Sequence, residues 1–273
     1  MTNARRVLPQ DPADFLRSIV PIALLALAAI EEPLRLVVAL LLVVGAAIAI
    51  QRDAPVRWAW AAAVPVAVSL LWGTLPAPLA ADGLADCANP ASPVSAWRAL
   101  EAVVVLVALA VIAIVLRAPT GSLSLRWPAR RWTGWALLGF VVVGPLALQV
   151  GPILAQPFFG DVGYTIVLGA VAPALVFAVA NGVMEEVIYR GALLGWSARV
   201  MGVGPALIGQ AAVFGLTHSG TDVIGLQVPL MLAMGLGELL AGVIAVRTRS
   251  LLIPIAIHIG LDIPIYFALA CGS

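Results

Sequence analysis

The chain has 273 residues, 62% of them hydrophobic and 11% charged, with a net charge of +1 and a mean hydropathy of +1.07. A soluble domain is nearer half apolar and a quarter charged, so most of this surface has to face lipid. The charge balance excludes nucleic acid as a partner, because that needs a basic stripe. All fifteen basic residues are Arg, a bias that fits a GC-rich, bacterial coding sequence.

The first 17 residues are polar and contain Arg5, Arg6 and Arg17, as a cytoplasmic tail would. Apolar runs follow at about 18–30, 34–50, 58–79, 102–116, 133–155, 164–184, 203–218, 223–246 and 251–270. A spanning helix needs about 17–25 residues, so the first and fourth runs read as short, and the pattern predicts eight or nine helices. The expected fold is therefore all-α: a polytopic transmembrane helical bundle with its active site between the C-terminal helices. With the N-terminus inside, nine spans place Arg52, Arg57, Arg117, Arg126, Arg130, Arg131, Arg199, Arg247 and Arg249 on the inner side. Glu31, Glu32, Asp82, Asp86, Asp161 and Asp222 fall outside, and only Arg35 and Arg98 break the positive-inside pattern. This predicts an integral protein of a bacterial plasma membrane with a cytoplasmic N-terminus. Arg5-Arg6 followed by an apolar stretch and Ala26-Leu27-Ala28 also fits a signal peptide, whose removal would leave the later helices unchanged in orientation.

Several Trp residues (Trp58, Trp60, Trp72, Trp132, Trp135 and Trp196) lie near the ends of apolar runs, where interface anchors belong. Cys87 and Cys271 would share the outer side, which leaves a disulfide open. Residues 1–160 show helices without evident chemistry, and the polar motifs concentrate in 161–273.

Those motifs are costly at membrane depth and mark function. Both histidines of the chain, His218 and His258, sit inside apolar runs, as do Glu185-Glu186-Val187-Ile188-Tyr189-Arg190 and Asp262. If 181–196 is α-helical, Glu186 stacks on Arg190 while Glu185 shares the face of Asn181 and Tyr189. A carboxylate beside Arg stays ionised and braces structure. One without a cation in an apolar wall holds a proton more readily, as a general base should. Glu185 is thus the expected base, with Glu186 and Arg190 in support. His258 and Asp262 are four apart, so either Asp262 bonds one imidazole nitrogen and fixes the tautomer, leaving the other for water or metal, or both are ligands. Glu238 is read as structural, and Gly191 to Gly195 as a small-residue face that weakly indicates a dimer. On straight helices Glu185 and His218 would fall at opposite ends of their runs, so for them to meet either the run boundaries shift by several residues or these helices are broken or strongly tilted.

Glu185-Glu186-Val187-Ile188-Tyr189-Arg190-Gly191, Phe214-Gly215-Leu216-Thr217-His218 and His258-Ile259-Gly260-Leu261-Asp262 resemble the three motifs of the CPBP family. These are intramembrane proteases related to type II CAAX prenyl endopeptidases and to bacteriocin-processing or immunity proteins. The resemblance covers about 164–270 and implies that Glu185 activates water while His218 and His258 position it or polarise the carbonyl. The family's last position is often Asn, whereas here it is Asp262, which when ionised accepts hydrogen bonds but cannot donate them. The implied partners are the bilayer and a membrane protein or lipidated peptide substrate. Two histidines and a carboxylate could also hold Zn²⁺, with His218 and His258 as ligands, so the metal remains open. The competing readings are a transporter or channel using Glu185, Glu238 and Asp262, and a catalytically silent immunity scaffold.

Overall fold

The computed structural model describes residues 11–75, 93–119, 121–159, 168–218 and 228–270. Cys87, Cys271, Arg5, Arg6, Asp82, Asp86, Asp161 and Asp222 lie outside them. Among the described residues the chain is helical and contains no strand: α1 Pro12–Ile30, α2 Arg35–Gln51, α3 Arg57–Trp72, α4 Pro93–Val115, α5 Arg130–Phe159, α6 Val171–Glu185, a π-helix Glu186–Leu194, α7 Gly195–Met201, α8 Val203–Thr217, α9 Val228–Thr248 and α10 Leu252–Ala270. Five described segments are long and apolar enough to cross a membrane: Pro12–Ile30, Glu32–Gln51, Pro93–Val115, Leu168–Met201 and Val228–Thr248. The protein is an integral membrane protein built as a helical bundle.

The two runs that looked short are longer than their hydropathy suggested, because charged residues at their starts are helical and paired. Asp11 caps α1 by accepting from the Ala13 amide at 2.8 Å, Pro12 opens the helix, and Asp14 and Arg17 pair at 3.6 Å. α4 begins at Pro93, nine residues before the apolar run, and Arg98 and Glu101 pair across one turn at 2.7 Å. α2 shows what faces lipid. It buries Val38, Ala39, Leu42, Ala46 and Ala49 on one side and exposes Leu36, Val37, Leu40, Leu41, Val43 and Val44 on the other. In water so large an apolar face would be an aggregation site; in hydrocarbon it is the ordinary surface.

The described helices fall into two compact units interleaved in sequence. The first comprises Met1–Thr74, Val105–Arg126 and Val187–Leu251. Here α3 packs on α1, α2 and α7, and α8 packs on α1, α7 and α9. α3 is buried nearly all round through Ala59, Ala61, Ala62 and Ala63. α8 and α9 cross closely because both are glycine at the crossing. A Cβ on Gly215 would stand 2.6 Å from the Met231 carbonyl, and one on Gly235 would stand 3.3 Å from that of Ala211. Trp196 is a core residue here and not an interface anchor: it is fully buried, edge-on to Trp58 at 6.1 Å, and its indole N–H donates to Ser122 Oγ at 3.2 Å. A satisfied N–H is what lets an indole leave the interface. Arg35, one exception to the positive-inside pattern, donates to the carbonyls of Ala28 (3.1 Å) and Leu70 (3.4 Å), near the C-terminal ends of α1 and α3. A cation there answers helix dipoles, so its position follows from local electrostatics.

The second unit comprises Leu75–Val104, Trp127–Glu186 and Leu252–Ser273. α10 packs against α5 and α6. An apolar cluster of Val94, Ala170, Ala174, Phe177, Tyr266, Phe267 and Ala270 joins the start of α4 to α6 and α10. Ser95 Oγ donates to the Pro173 carbonyl at 2.7 Å, which fixes the register of α4 on α6.

Candidate active site

In the second unit α6 and α10 run antiparallel, and their side chains meet in rungs four residues apart. Phe177 and Tyr266 have ring centroids 5.8 Å apart. Asn181 Nδ2 donates to Asp262 Oδ2 at 3.0 Å. Next come Glu185, whose Oε2 is 3.5 Å from His258 Nε2, and Glu186, whose Oε1 is 2.8 Å from His258 Nδ1. Four residues of α-helix rise about 6 Å, so the rungs form a ladder with the ionisable groups on adjacent steps. The two helices approach closely because position 182 lacks a side chain. A Cβ on Gly182 would meet Ile259 Cγ1 at 3.1 Å, the Ile259 amide nitrogen at 3.2 Å and His258 Cβ at 3.5 Å.

The contacts of His258 differ from the expectation in one respect. Bonding to Asp262 was one expected way of fixing the imidazole, but the Asp262 Oδ2 is 3.6 Å from Nε2, beyond a good hydrogen bond. The short contact is from Nδ1 to Glu186, a carboxylate only 1% exposed. The reason is the short side chain of Asp262, whose Oδ2 is also held by Asn181. Nδ1–H donating to Glu186 turns Nε2 toward Glu185 and Asp262, which stand 3.5 and 3.6 Å away. Glu185 and His258 keep slight exposure, 13% and 14% of their side chains, while Glu186 and Asp262 are buried. Asn181 Oδ1 is buried and has no hydrogen-bond partner among the described residues.

The helix is irregular directly after Glu185, where the backbone passes from α6 into the π-helix Glu186–Leu194. Such segments recur at functional sites. Glu186 and Arg190 both lie on this π-helix, whose repeat is longer than the α-helical one. Arg190 forms an ion pair with Glu238, and both side chains are buried.

Arg190, Glu238, Tyr189 and His218 belong to the first unit. Arg190 also lies over the Phe214 ring at 5.6 Å, Tyr189 meets Phe214 edge-on at 4.9 Å, and Gln210 Nε2 reaches the Glu238 carbonyl at 3.5 Å. Glu238 thus has the structural place its sequence context suggested. His218 caps the C-terminal end of α8. Its Nδ1 is 2.9 Å from the Phe214 carbonyl, an acceptor that requires the proton on Nδ1. The Phe214 ring lies beside it, with centroids 4.5 Å apart.

The Glu186–His258 and Arg190–Glu238 pairings were not anticipated. A hint existed in the charges themselves, since each intramembrane cation or imidazole needs a partner from another apolar segment.

Zn²⁺ was considered with His218 and His258 as ligands. Among the described residues no group of three or more His, Cys, Asp or Glu side chains is arranged to hold a metal ion, and His258 commits Nδ1 to Glu186. The donor set does not fit a metal, and no chemical step is derived through one.

Residues 167–263 match the family model described as type II CAAX prenyl endopeptidase Rce1-like. No curated protein and no solved structure matches the chain. Apart from Tyr266, the matched segment contains the residues just described on α6, α8, α9 and α10. Over residues 167–263, about a third of its length, the chain is thus similar to the Rce1-like type II CAAX prenyl endopeptidases.

Proposed function

We propose that this protein is an intramembrane endopeptidase, hydrolysing a peptide bond of a membrane-associated or lipidated substrate, with Glu185 as the base. The observation that carries the reading is the grouping of Glu185, Glu186, His258, Asn181 and Asp262 on two facing helices. A gap of 3.5 Å between Glu185 Oε2 and His258 Nε2 is one that a water molecule can share. In this mechanism Glu185 takes a proton from that water, and the hydroxide oxygen attacks the scissile carbonyl carbon. The proton then passes to the departing amine as the C–N bond breaks, giving a carboxylate and a free amine. His258, held by Glu186 through Nδ1, positions the water or polarises the carbonyl with Nε2. Asp262 serves as an acceptor, the part its bond from Asn181 already gives it, and Asn181 Oδ1 is the acceptor left for a substrate amide or water. A part for His218 in the chemistry is what the motif resemblance implies, and His218→Gln tests it by the same cleavage assay as Glu185→Gln.

The test is Glu185→Gln, which is nearly isosteric. In the full chain reconstituted in nanodiscs, a quenched fluorescent peptide with a prenylated cysteine followed by a short C-terminal tail is cleaved by the wild type. The variant is expected to lose cleavage while eluting and melting as the wild type does. Full cleavage by Glu185→Gln would end the proposal.

A further inference from the structure

In the first unit α1 ends at Ile30, α2 begins at Arg35 and α3 ends at Trp72, and Arg35 ties the three ends together. An open pocket of about 380 Å³ lies there, lined by Glu32, Pro33, Arg35, Leu36, Leu71 and Thr74. Its size is that of a small-molecule site. Its lining combines both signs of charge, a hydroxyl and apolar surface, and it takes no part in the proposed hydrolysis.

The 3₁₀ turn Glu32–Leu34 leads straight into α2. Glu32 and Arg35 are three apart on this continuous helical path, which puts their Cβ atoms about 5–6 Å apart. Elsewhere in the chain such a spacing closes into an ion pair, as between Asp14 and Arg17 or Arg98 and Glu101. Between Glu32 and Arg35 none forms. The guanidinium is held instead by the two neighbouring helix ends: Nε–H donates to the Ala28 carbonyl at 3.1 Å and Nη1–H to that of Leu70 at 3.4 Å. Nη2 and the Glu32 carboxylate have no hydrogen-bond partner among the described residues. Thr74 donates its hydroxyl proton to the Leu71 carbonyl at 2.7 Å, which leaves its oxygen as an acceptor. The pocket therefore presents an oriented cation beside an unpaired carboxylate, and orientation before binding lowers the ordering cost.

A ligand that answers both charges is a zwitterion with its anion and cation a few atoms apart. In a phosphoethanolamine group two carbons lie between the phosphate ester oxygen and the ammonium, a span that fits Glu32 and Arg35. The phosphate accepts from Arg35 Nη2, and the ammonium donates to Glu32 and to the Thr74 oxygen. A quaternary ammonium has no N–H to give and is held by aromatic faces, whereas none of the six lining residues is aromatic. Hydrocarbon continues from the pocket. Leu36 starts an exposed stripe with Leu40 and Val44, each four residues further along α2. An acyl chain attached to the seated headgroup lies along that stripe, in the hydrocarbon that α2 spans.

We propose that the pocket at the joined ends of α1, α2 and α3 binds the headgroup of a primary-amine phospholipid of the phosphatidylethanolamine class. Arg35 takes its phosphate and Glu32 its ammonium. The lipid is a bound partner of the first unit and is not a substrate.

Native mass spectrometry of the full chain tests this, with the protein released from detergent micelles that hold equimolar phosphatidylethanolamine and phosphatidylcholine of identical acyl chains. The wild type is expected to retain the ethanolamine lipid about two- to fivefold over the choline lipid, the range of an ion pair open to water. Glu32→Gln is expected to bring that ratio to about one, and Glu32→Asp to keep part of it. Arg35→Gln is expected to weaken both lipids alike, because they share the phosphate. Since Arg35 also bonds two helix ends, Glu32→Gln carries the test if that variant fails to fold; Glu32 is exposed and holds nothing in place. Glycerophosphoethanolamine, with the same headgroup and no acyl chain, is expected to leave the lipid bound at equal concentration.

A wild-type ratio of one, a preference that survives Glu32→Gln, or stronger retention of phosphatidylglycerol overturns the proposal. Displacement by glycerophosphoethanolamine as effective as that by the lipid overturns it in favour of a soluble ligand. No arm reads cleavage, so its failure and that of the endopeptidase reading are separate.

Discussion

Glu186→Ala removes the acceptor of the His258 Nδ1 proton, a contact of 2.8 Å to a carboxylate that is 1% exposed. Two effects follow. A buried donor left without its acceptor costs about 1–3 kcal/mol, and the imidazole loses the bond that aims Nε2 at Glu185. If the full charge-assisted bond, about 1.5–3 kcal/mol, is required in the transition state, kcat falls roughly ten- to a hundredfold. Glu186→Gln keeps an acceptor oxygen of similar reach and loses only the charge, so its loss should be the smaller of the two. Both stay well short of Glu185→Gln, which removes the base itself. The assay is peptide cleavage in nanodiscs, with ¹⁵N-labelled histidine in a His218→Gln background so that His258 gives the only imidazole signals. Wild-type Glu186 should show a protonated Nδ1 in a strong hydrogen bond, and Glu186→Ala should lose it. The reasoning fails if Glu186→Ala cleaves at the wild-type rate, or if the Nδ1 signal survives the substitution.

Three further outcomes are expected. Gly182→Ala brings a Cβ to 3.1–3.2 Å from Ile259, including its amide nitrogen. The helices must then yield by a few tenths of an ångström, so cleavage should fall by several-fold and Gly182→Val should abolish it; wild-type kcat in the valine variant would show that α6 and α10 need no such approach. Glu238→Ala strips a buried counter-charge from Arg190 and should cost about 3–5 kcal/mol, read as a large fall in the thermal midpoint. The double replacement Arg190→Met with Glu238→Leu should recover most of it, and equal losses in the single and double variants would refute the pair. Dialysis of the active protein against a strong zinc chelator should leave the cleavage rate unchanged; stoichiometric zinc lost in parallel with activity would overturn the metal-free chemistry.

Much of the fold can be read from the amino-acid order because it is local. An apolar run must be about as long as the bilayer is thick, and among the described residues each run contains a helix, with the starts of α1 and α4 and the continuation of the sixth run to Met201 as the main departures. Those two starts were misjudged because hydropathy treats Asp14, Arg17, Arg98 and Glu101 as solvated, whereas i, i+3 pairing lets them be helical. The break at Gly202, with φ of 83°, separates α7 from α8 where the sequence offered only Gly and Pro as a sign.

The residues that could do chemistry were also visible in the sequence, since ionisable groups at membrane depth are too costly to be incidental. Their partners were not. Whether His258 leans on Asp262 or Glu186 depends on how closely α10 approaches α6, and the missing side chain at Gly182 sets that approach. That Arg190 meets Glu238 depends on which face α9 presents. Spacing along one helix is fixed by 1.5 Å of rise per residue. The meeting of two helices is fixed by packing across them, and only the folded chain supplies that.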